Sequence, residues 1–164
     1  MQTDIVYEEK IFSKWTAGIL ATATAIFLFV LLCLVLVEPA GTRPVLIWFS
    51  LLMFLLSLGT MINFSRLAIR ISPRFISVAY GIFKHKISFE NVEKCYLDET
   101  PAIQYWGWGI RIAKIKGKWR LVYNVIGGPR IVLSLRKGRF KEFVFSTKNP
   151  KEVMDIVRAA HKQL

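Results

Sequence analysis

Two stretches of this chain carry no charge for 22 residues each, Thr16–Val37 and Pro44–Ser65. A helix needs about 20 apolar residues to cross the hydrocarbon core of a bilayer, so each stretch is long enough by itself. Two such runs in 164 residues exceed what the core of one small domain would hold. A cleaved signal peptide is the competing reading of the first run. Its apolar region would span about 7–15 residues before a small-residue cleavage site. This run is longer, ends at Glu38-Pro39 and is followed by a second span. The expectation is a retained hairpin of two transmembrane helices within residues 1–65, at about 16–37 and 44–65.

The flanking charges orient the hairpin. Cytoplasmic flanks of membrane helices are enriched in Lys and Arg. Lys10 and Lys14 precede the first run, and Arg66, Arg70 and Arg74 follow the second. The connecting loop Glu38–Arg43 holds one basic residue and is too short to recross the bilayer. These signals place both termini in the cytoplasm of a multi-pass cell-membrane protein. Trp15 and Trp48 sit near helix ends, where indole favours the interface. No Asp, Glu, Lys, Arg or His falls within either run. An ionisable group there would have pointed to transport or a proton path. The hydroxyls present, such as Thr22, Thr24, Ser57 and Thr60, are expected to bond their own backbone or the other helix. Anchoring is the reading this leaves.

The remainder, residues 66–164, is strongly basic. The chain's net charge is +12, yet residues 1–65 hold three basic and four acidic side chains, which leaves 20 basic and 7 acidic for the rest. Beside a membrane, each Lys or Arg near anionic headgroups gains about 1 kcal/mol. Cys33 and Cys95 are too few for a disulfide framework or a metal site and read as small apolar fillers.

From Leu67 the apolar pattern has period two, as in half-buried strands. Candidate strands follow at Phe75–Tyr80, Ile82–Ile87, Val92–Leu97, Gly109–Ala113, Trp119–Tyr123, Ile131–Leu135 and Phe140–Ser146, separated by turns rich in Gly and Pro. Then the period changes. Asn149 suits a helix N-cap and Pro150 the first helical position. Val153, Ile156, Val157 and Ala160 follow i, i+3, i+4, i+7 spacing, one apolar face. About seven short strands and one terminal helix predict a mainly-β barrel closed by that helix.

This order resembles the prokaryotic pleckstrin-homology-like domains that are attached to membrane helices. Most of the likeness lies in Leu67–Leu97, where a basic strand leads into Ile87-Ser88-Phe89-Glu90-Asn91-Val92-Glu93-Lys94. Gly107-Trp108-Gly109-Ile110-Arg111 and the Ser146-Thr147-x-x-Pro150 lead into the last helix also look familial. The resemblance covers roughly residues 66–162. It implies a fold and a membrane address, with no fixed ligand, cofactor or catalytic residues.

Two basic hairpins are the candidate contacts. Lys114, Lys116, Lys118 and Arg120 alternate through one turn, and Arg136, Lys137, Arg139 and Lys141 surround another. Alternate strand residues share a face, so the first three lysines are expected to form a cationic ridge. Such a ridge suits anionic lipid headgroups or a protein partner; the plainer explanation is a positive surface that only enforces topology. Tethering at a membrane argues against nucleic acid, despite the mix of basic and aromatic residues. Tyr105 and Trp106 are candidate interface aromatics, whereas Trp108 and Trp119 are expected in the core. Gly107-x-Gly109 lacks the third Gly and the strand-to-helix context of a dinucleotide site. Neither His85 nor His161 has a second metal ligand near it in sequence. Glu90, Glu93, Asp98 and Glu99 form an acidic cluster suited to pairing with the basic strands. With no nucleophile motif, a non-enzymatic binding or scaffolding module is expected. The alternative is a structural subunit of a larger membrane assembly, including a homo-oligomer.

Overall fold

The computed structural model describes residues 5–36, 44–105 and 107–162. The expected loop Glu38–Arg43 and Trp106 lie outside them. The chain divides into a helical unit, Lys14–Ser65, and a β unit formed by the segment before Lys14 together with the chain from Arg66 onward.

The helical unit holds α1, Lys14–Leu36, and α2, Pro44–Phe64. At a rise of about 1.5 Å per residue, 23 and 21 residues span roughly 30–35 Å, enough to cross a bilayer. Their surfaces are apolar and largely exposed, with Trp15 and Trp48 at 71% and 70%. The hydroxyls turn inward or back. Thr22 and Thr60 donate to the carbonyls of Gly18 and Leu56. Thr24 bonds Leu20 O at 2.8 Å and joins Ser57 Oγ of the other helix at 2.8 Å. Such a bond costs no unpaired polar group in hydrocarbon.

Among its described residues the β unit contains nine strands in two sheets and a C-terminal helix. Among the described residues the strands do not close into one barrel. The first sheet orders β1 (Tyr7–Phe12), β2 (Arg66–Ser72), β3 (Phe75–Tyr80) and β4 (Phe83–Ser88) as an antiparallel meander. The second orders β5 (Val92–Leu97), β8 (Arg130–Leu135), β9 (Glu142–Ser146), β7 (Lys118–Asn124) and β6 (Gly109–Ile115), with β7 and β9 parallel. The expected division at residue 65 leaves Tyr7–Phe12 in an N-terminal segment grouped with the helices; the structure pairs it with β2, from Tyr7 opposite Ile71 to Phe12 opposite Arg66. The period-two signal fails there because an acid, Glu9, takes an inward position beside Ile11.

One face of the first sheet is apolar. Leu67, Ile69, Ile71, Ile76, Val78 and Tyr80 are almost wholly buried, as the alternation requires. Tyr80 stacks on Tyr123 of the second sheet at 6.1 Å and donates its hydroxyl to Asn124 O at 2.8 Å. His85 of β4 stacks on Phe143 of β9 at 5.0 Å, and burial holds its pKa below the usual imidazole value. The central strands of the second sheet, β8 and β9, are buried on both sides. Phe143 and Phe145 occupy one face of β9; Val144 joins Val122, Val132, Ile115 and Tyr105 in a separate small core on the other. Helix α3, Pro150–Lys162, packs on β5 and β8, and Val153 and Val157 of its apolar face are buried.

Glu9 joins the two ends of the sequence. Its carboxylate accepts from Thr147 Oγ1 at 2.6 Å and from Lys148 N at 2.8 Å, in the link between β9 and α3. The Tyr7 hydroxyl donates to the same carboxylate at 3.0 Å, and burial with the adjacent Glu9 charge raises the phenol's pKa.

Candidate functional site

Strand register builds a charged cluster on the face of the second sheet that carries the small core. Arg120 of β7 lies opposite Glu142 of β9, and Glu142 opposite Ser134 of β8. One strand position in the same direction sets a side chain on the same face every second residue. Arg120, Val122 and Asn124 therefore share that face with Glu142, Val144 and Ser146.

The cluster is densely paired. Arg120 Nε donates to Glu142 Oε2 at 2.5 Å, while its Nη1 reaches Tyr105 OH at 2.7 Å, Thr100 Oγ1 at 3.0 Å and Asp98 Oδ1 at 3.5 Å. Arg130 Nε donates to Asp98 Oδ2 at 2.9 Å, and its guanidinium lies 5.0 Å from the Tyr105 ring centre. Tyr96 OH and Lys118 Nζ complete Glu142 at 3.1 and 3.2 Å. The side chains of Asp98 and Glu142 are only 2% and 3% exposed. Burial alone would raise both carboxyls. For Asp98, hydrogen bonds from Thr100 and Arg130 outweigh it; for Glu142, Lys118 and Arg120 do, so both stay below the usual carboxylate range. Burial and the Glu142 charge push the Tyr96 phenol up to about 12.

A cleft of about 1020 Å³ opens beside this cluster. Asp98, Arg120 and Glu142 line it together with Lys114, Lys116 and Lys118 of the β6–β7 hairpin. Lys116 and Gly117 both have positive φ, 49° and 77°, the type I′ geometry that favours Gly at the second position. This tight turn overturns the expected ridge. Lys114 pairs with Trp119, and Lys118 pairs with Ile115, so Lys114 and Lys118 face opposite sides of the hairpin. Lys118 is bound to Glu142, whereas Lys114 lies 5.8 Å from the Trp119 ring centre. Lys116 occupies the turn and is exposed.

Other expected positions also move. Arg120, a candidate surface contact, is 6% exposed and belongs to the buried network. Tyr105, a candidate interface aromatic, is 1% exposed because its hydroxyl serves Arg120 and its ring fills the small core. Trp119, expected in the core, is 50% exposed. Arg136 and Lys141 line a second cleft of about 660 Å³ with Glu93 and Lys118, while Lys137 and Arg139 are exposed in the β8–β9 connection. Of the acidic cluster, Asp98 enters the network; Glu90 and Glu99 are exposed. Glu142 and Arg130 were not among the sequence candidates. Their signal was a lone acid and a lone base at the ends of apolar strands, readable only once the register is known.

The Cys95 thiol is pushed up to about 12 by burial, which disfavours the nucleophilic thiolate. Among the described residues no group of three His, Cys, Asp or Glu is placed to hold a metal ion. What the cluster offers is a paired, buried floor beside the exposed Lys114 and Lys116. Comparison with protein-family models, curated proteins and solved structures finds no match.

Proposed function

We propose that this protein is a membrane-anchored binding module, pleckstrin-homology-like in plan, whose β domain works at the cytoplasmic face of the cell membrane. Helices α1 and α2 are the anchor, and the excess of basic side chains after α2 sets the side. The cleft beside the Asp98–Arg120–Glu142 network takes the ligand, an acidic segment of a protein partner. The observation that carries this reading is the cleft's division of labour. Its buried charges are satisfied among themselves, so they hold the walls, while Lys116, exposed at the turn, remains available to an anion and the exposed Lys114 borders the cleft from the hairpin's other face.

The test uses the full chain in nanodiscs and a fluorescent Glu-rich peptide, with inositol phosphate as a soluble headgroup mimic. Peptide binding is expected to weaken as salt rises, since exposed charges are screened over about 10 Å at 0.1 M. It should also be lost in Lys114→Ala/Lys116→Ala. Binding of inositol phosphate in place of peptide would reassign the cleft to lipid headgroups. Unchanged affinity in the double variant would sink the cleft as the site.

A second reading, a subunit packed against other chains of a membrane assembly or against its own copies, draws support from the β6–β7 hairpin. Ile112 and Trp119 lie on one face of it at 55% and 50% exposure. Association through that face would persist at high salt.

A further inference from the structure

Sheet register fixes the end of the β domain at which the chain leaves for α1 and returns from α2. Phe12, the last residue of β1, pairs with Arg66, the first of β2. Leu67 pairs with Tyr80, and Tyr80 with Phe83. The β3–β4 turn, Gly81-Ile82, therefore closes the sheet at the end where the chain passes into α1 and out of α2. Adjacent strands lie about 5 Å apart, which sets this turn within roughly 10 Å of Arg66. Phe64, the last residue of α2, is only two positions earlier. The opposite end of β4, Ser88, is five residues and so roughly 17 Å farther along the strand.

The tip is built for an apolar medium. Ile82 is 84% exposed and Phe83 49%, and Phe12, at the same end of the sheet but on its other edge strand, is 51% exposed. By contrast the β6–β7 turn is Lys116-Gly117, and the β8–β9 connection begins Arg136-Lys137-Gly138-Arg139. Gly81, at φ 49°, supplies the positive φ that a two-residue hairpin of the II′ kind needs at its first central position, so the turn projects Ile82 in a set conformation. Exposed cations stand directly behind the apolar tip: Lys84 and Lys86 on β4, and Arg66 on β2. An apolar tip with a basic collar matches the gradient of a membrane interface, from acyl chains to anionic headgroups.

We propose that the Gly81–Phe83 turn inserts into the headgroup–acyl boundary of the leaflet in which α1 and α2 end, with Arg66, Lys84 and Lys86 on anionic headgroups. The proposal rests on the reading of α1 and α2 as membrane spans. It makes the domain a part of the interface at a second point, where a tether alone would leave it free to tumble.

The experiment uses the full chain with Cys33→Ala and Cys95→Ala, carrying one new cysteine at a time: Ile82→Cys, Lys137→Cys or Leu55→Cys. Each is labelled with an environment-sensitive fluorophore and reconstituted in phosphatidylcholine–phosphatidylglycerol vesicles with and without brominated acyl chains. All three positions are exposed, so labelling leaves the cores intact. Loss of fluorescence to bromine at 82 and 55, and none at 137, is the expected result. Asn91, which donates to Lys137 O at 2.9 Å, follows the far end of β4, so 137 reports the distal side. Quenching at 55 with none at 82 overturns the inserted turn and leaves the anchor standing. No quenching at 55 overturns the anchor and the turn together.

Discussion

In the four-stranded sheet, Glu8, Lys10 and Arg70 pair on the outward face, Arg70 with Glu8 at 3.1 Å and Lys10 with Glu8 at 3.2 Å. In the five-stranded sheet, Asp98, Arg120, Arg130 and Glu142 pair inside, shielded from water. The chemistry of the pairs is the same and their consequences differ. Outside, water solvates either partner if the other is lost. Inside, the desolvation of each ion is offset only by its partners, so completeness of the network matters more than the strength of any one bond.

Removing one partner is therefore the sharpest way to break the comparison. Arg120→Met should cost about 3–5 kcal/mol in unfolding free energy, because it removes the cation that Glu142 and Asp98 share and leaves them Lys118 and Arg130 alone. Replacing Arg120 and Glu142 together by Met should recover part of that loss. Denaturant titration of the full chain in detergent, followed by Trp fluorescence, checks both. A single variant no worse than the double would mean the network is not closed.

Glu9 is the one acid of the first sheet that points inward. Glu9→Ala leaves Thr147 and Lys148 without their acceptor and should cost about 1–3 kcal/mol. Amide exchange read by mass spectrometry should show lost protection at the start of α3 as well as in β1. A loss confined to β1 would separate the two sheets energetically.

Acid gives a graded form of the same test. Asp98 and Glu142 have folded pKa values below their ordinary ones. Their stabilisation is therefore complete above the unfolded values, about 3.9 and 4.3, and is lost as pH falls through the lower folded values. Melting temperature should drop below about pH 4, and Glu142→Gln should flatten that drop. The smallest effect belongs to the outer face: Arg70→Ala should change stability by about 0–1 kcal/mol and should do so less at high salt.

The same contrast explains what was legible in the sequence. Both long apolar helices were visible because charge is absent from 22 consecutive residues twice over. β2, β3 and β4 follow the period of Leu67, Ile69 and Ile71, and α3 the spacing of Val153 and Val157, since in each an apolar face meets the core. Where burial is achieved by pairing, the pattern goes silent. Arg120 and Glu9 look like surface residues until their partners, 22 and 138 positions away, are known. Lys114 and Lys118 seemed to share a face because alternation was counted straight through a turn that reverses the chain. Tyr105 was misplaced for the same reason as Arg120, to which it is bonded.

The pairing of β1 with β2 reaches beyond stability. β1 leaves the ribosome ahead of both apolar helices, and its partner strand follows only after them. In a bilayer these two strands share a compartment only when the chain between them has crossed an even number of times. A chain with a single inserted span would hold β1 on one side and β2 on the other, and Glu9 could never reach Thr147. For a chain whose two helices cross a bilayer, the closed edge of the sheet is therefore compatible only with both of them having crossed.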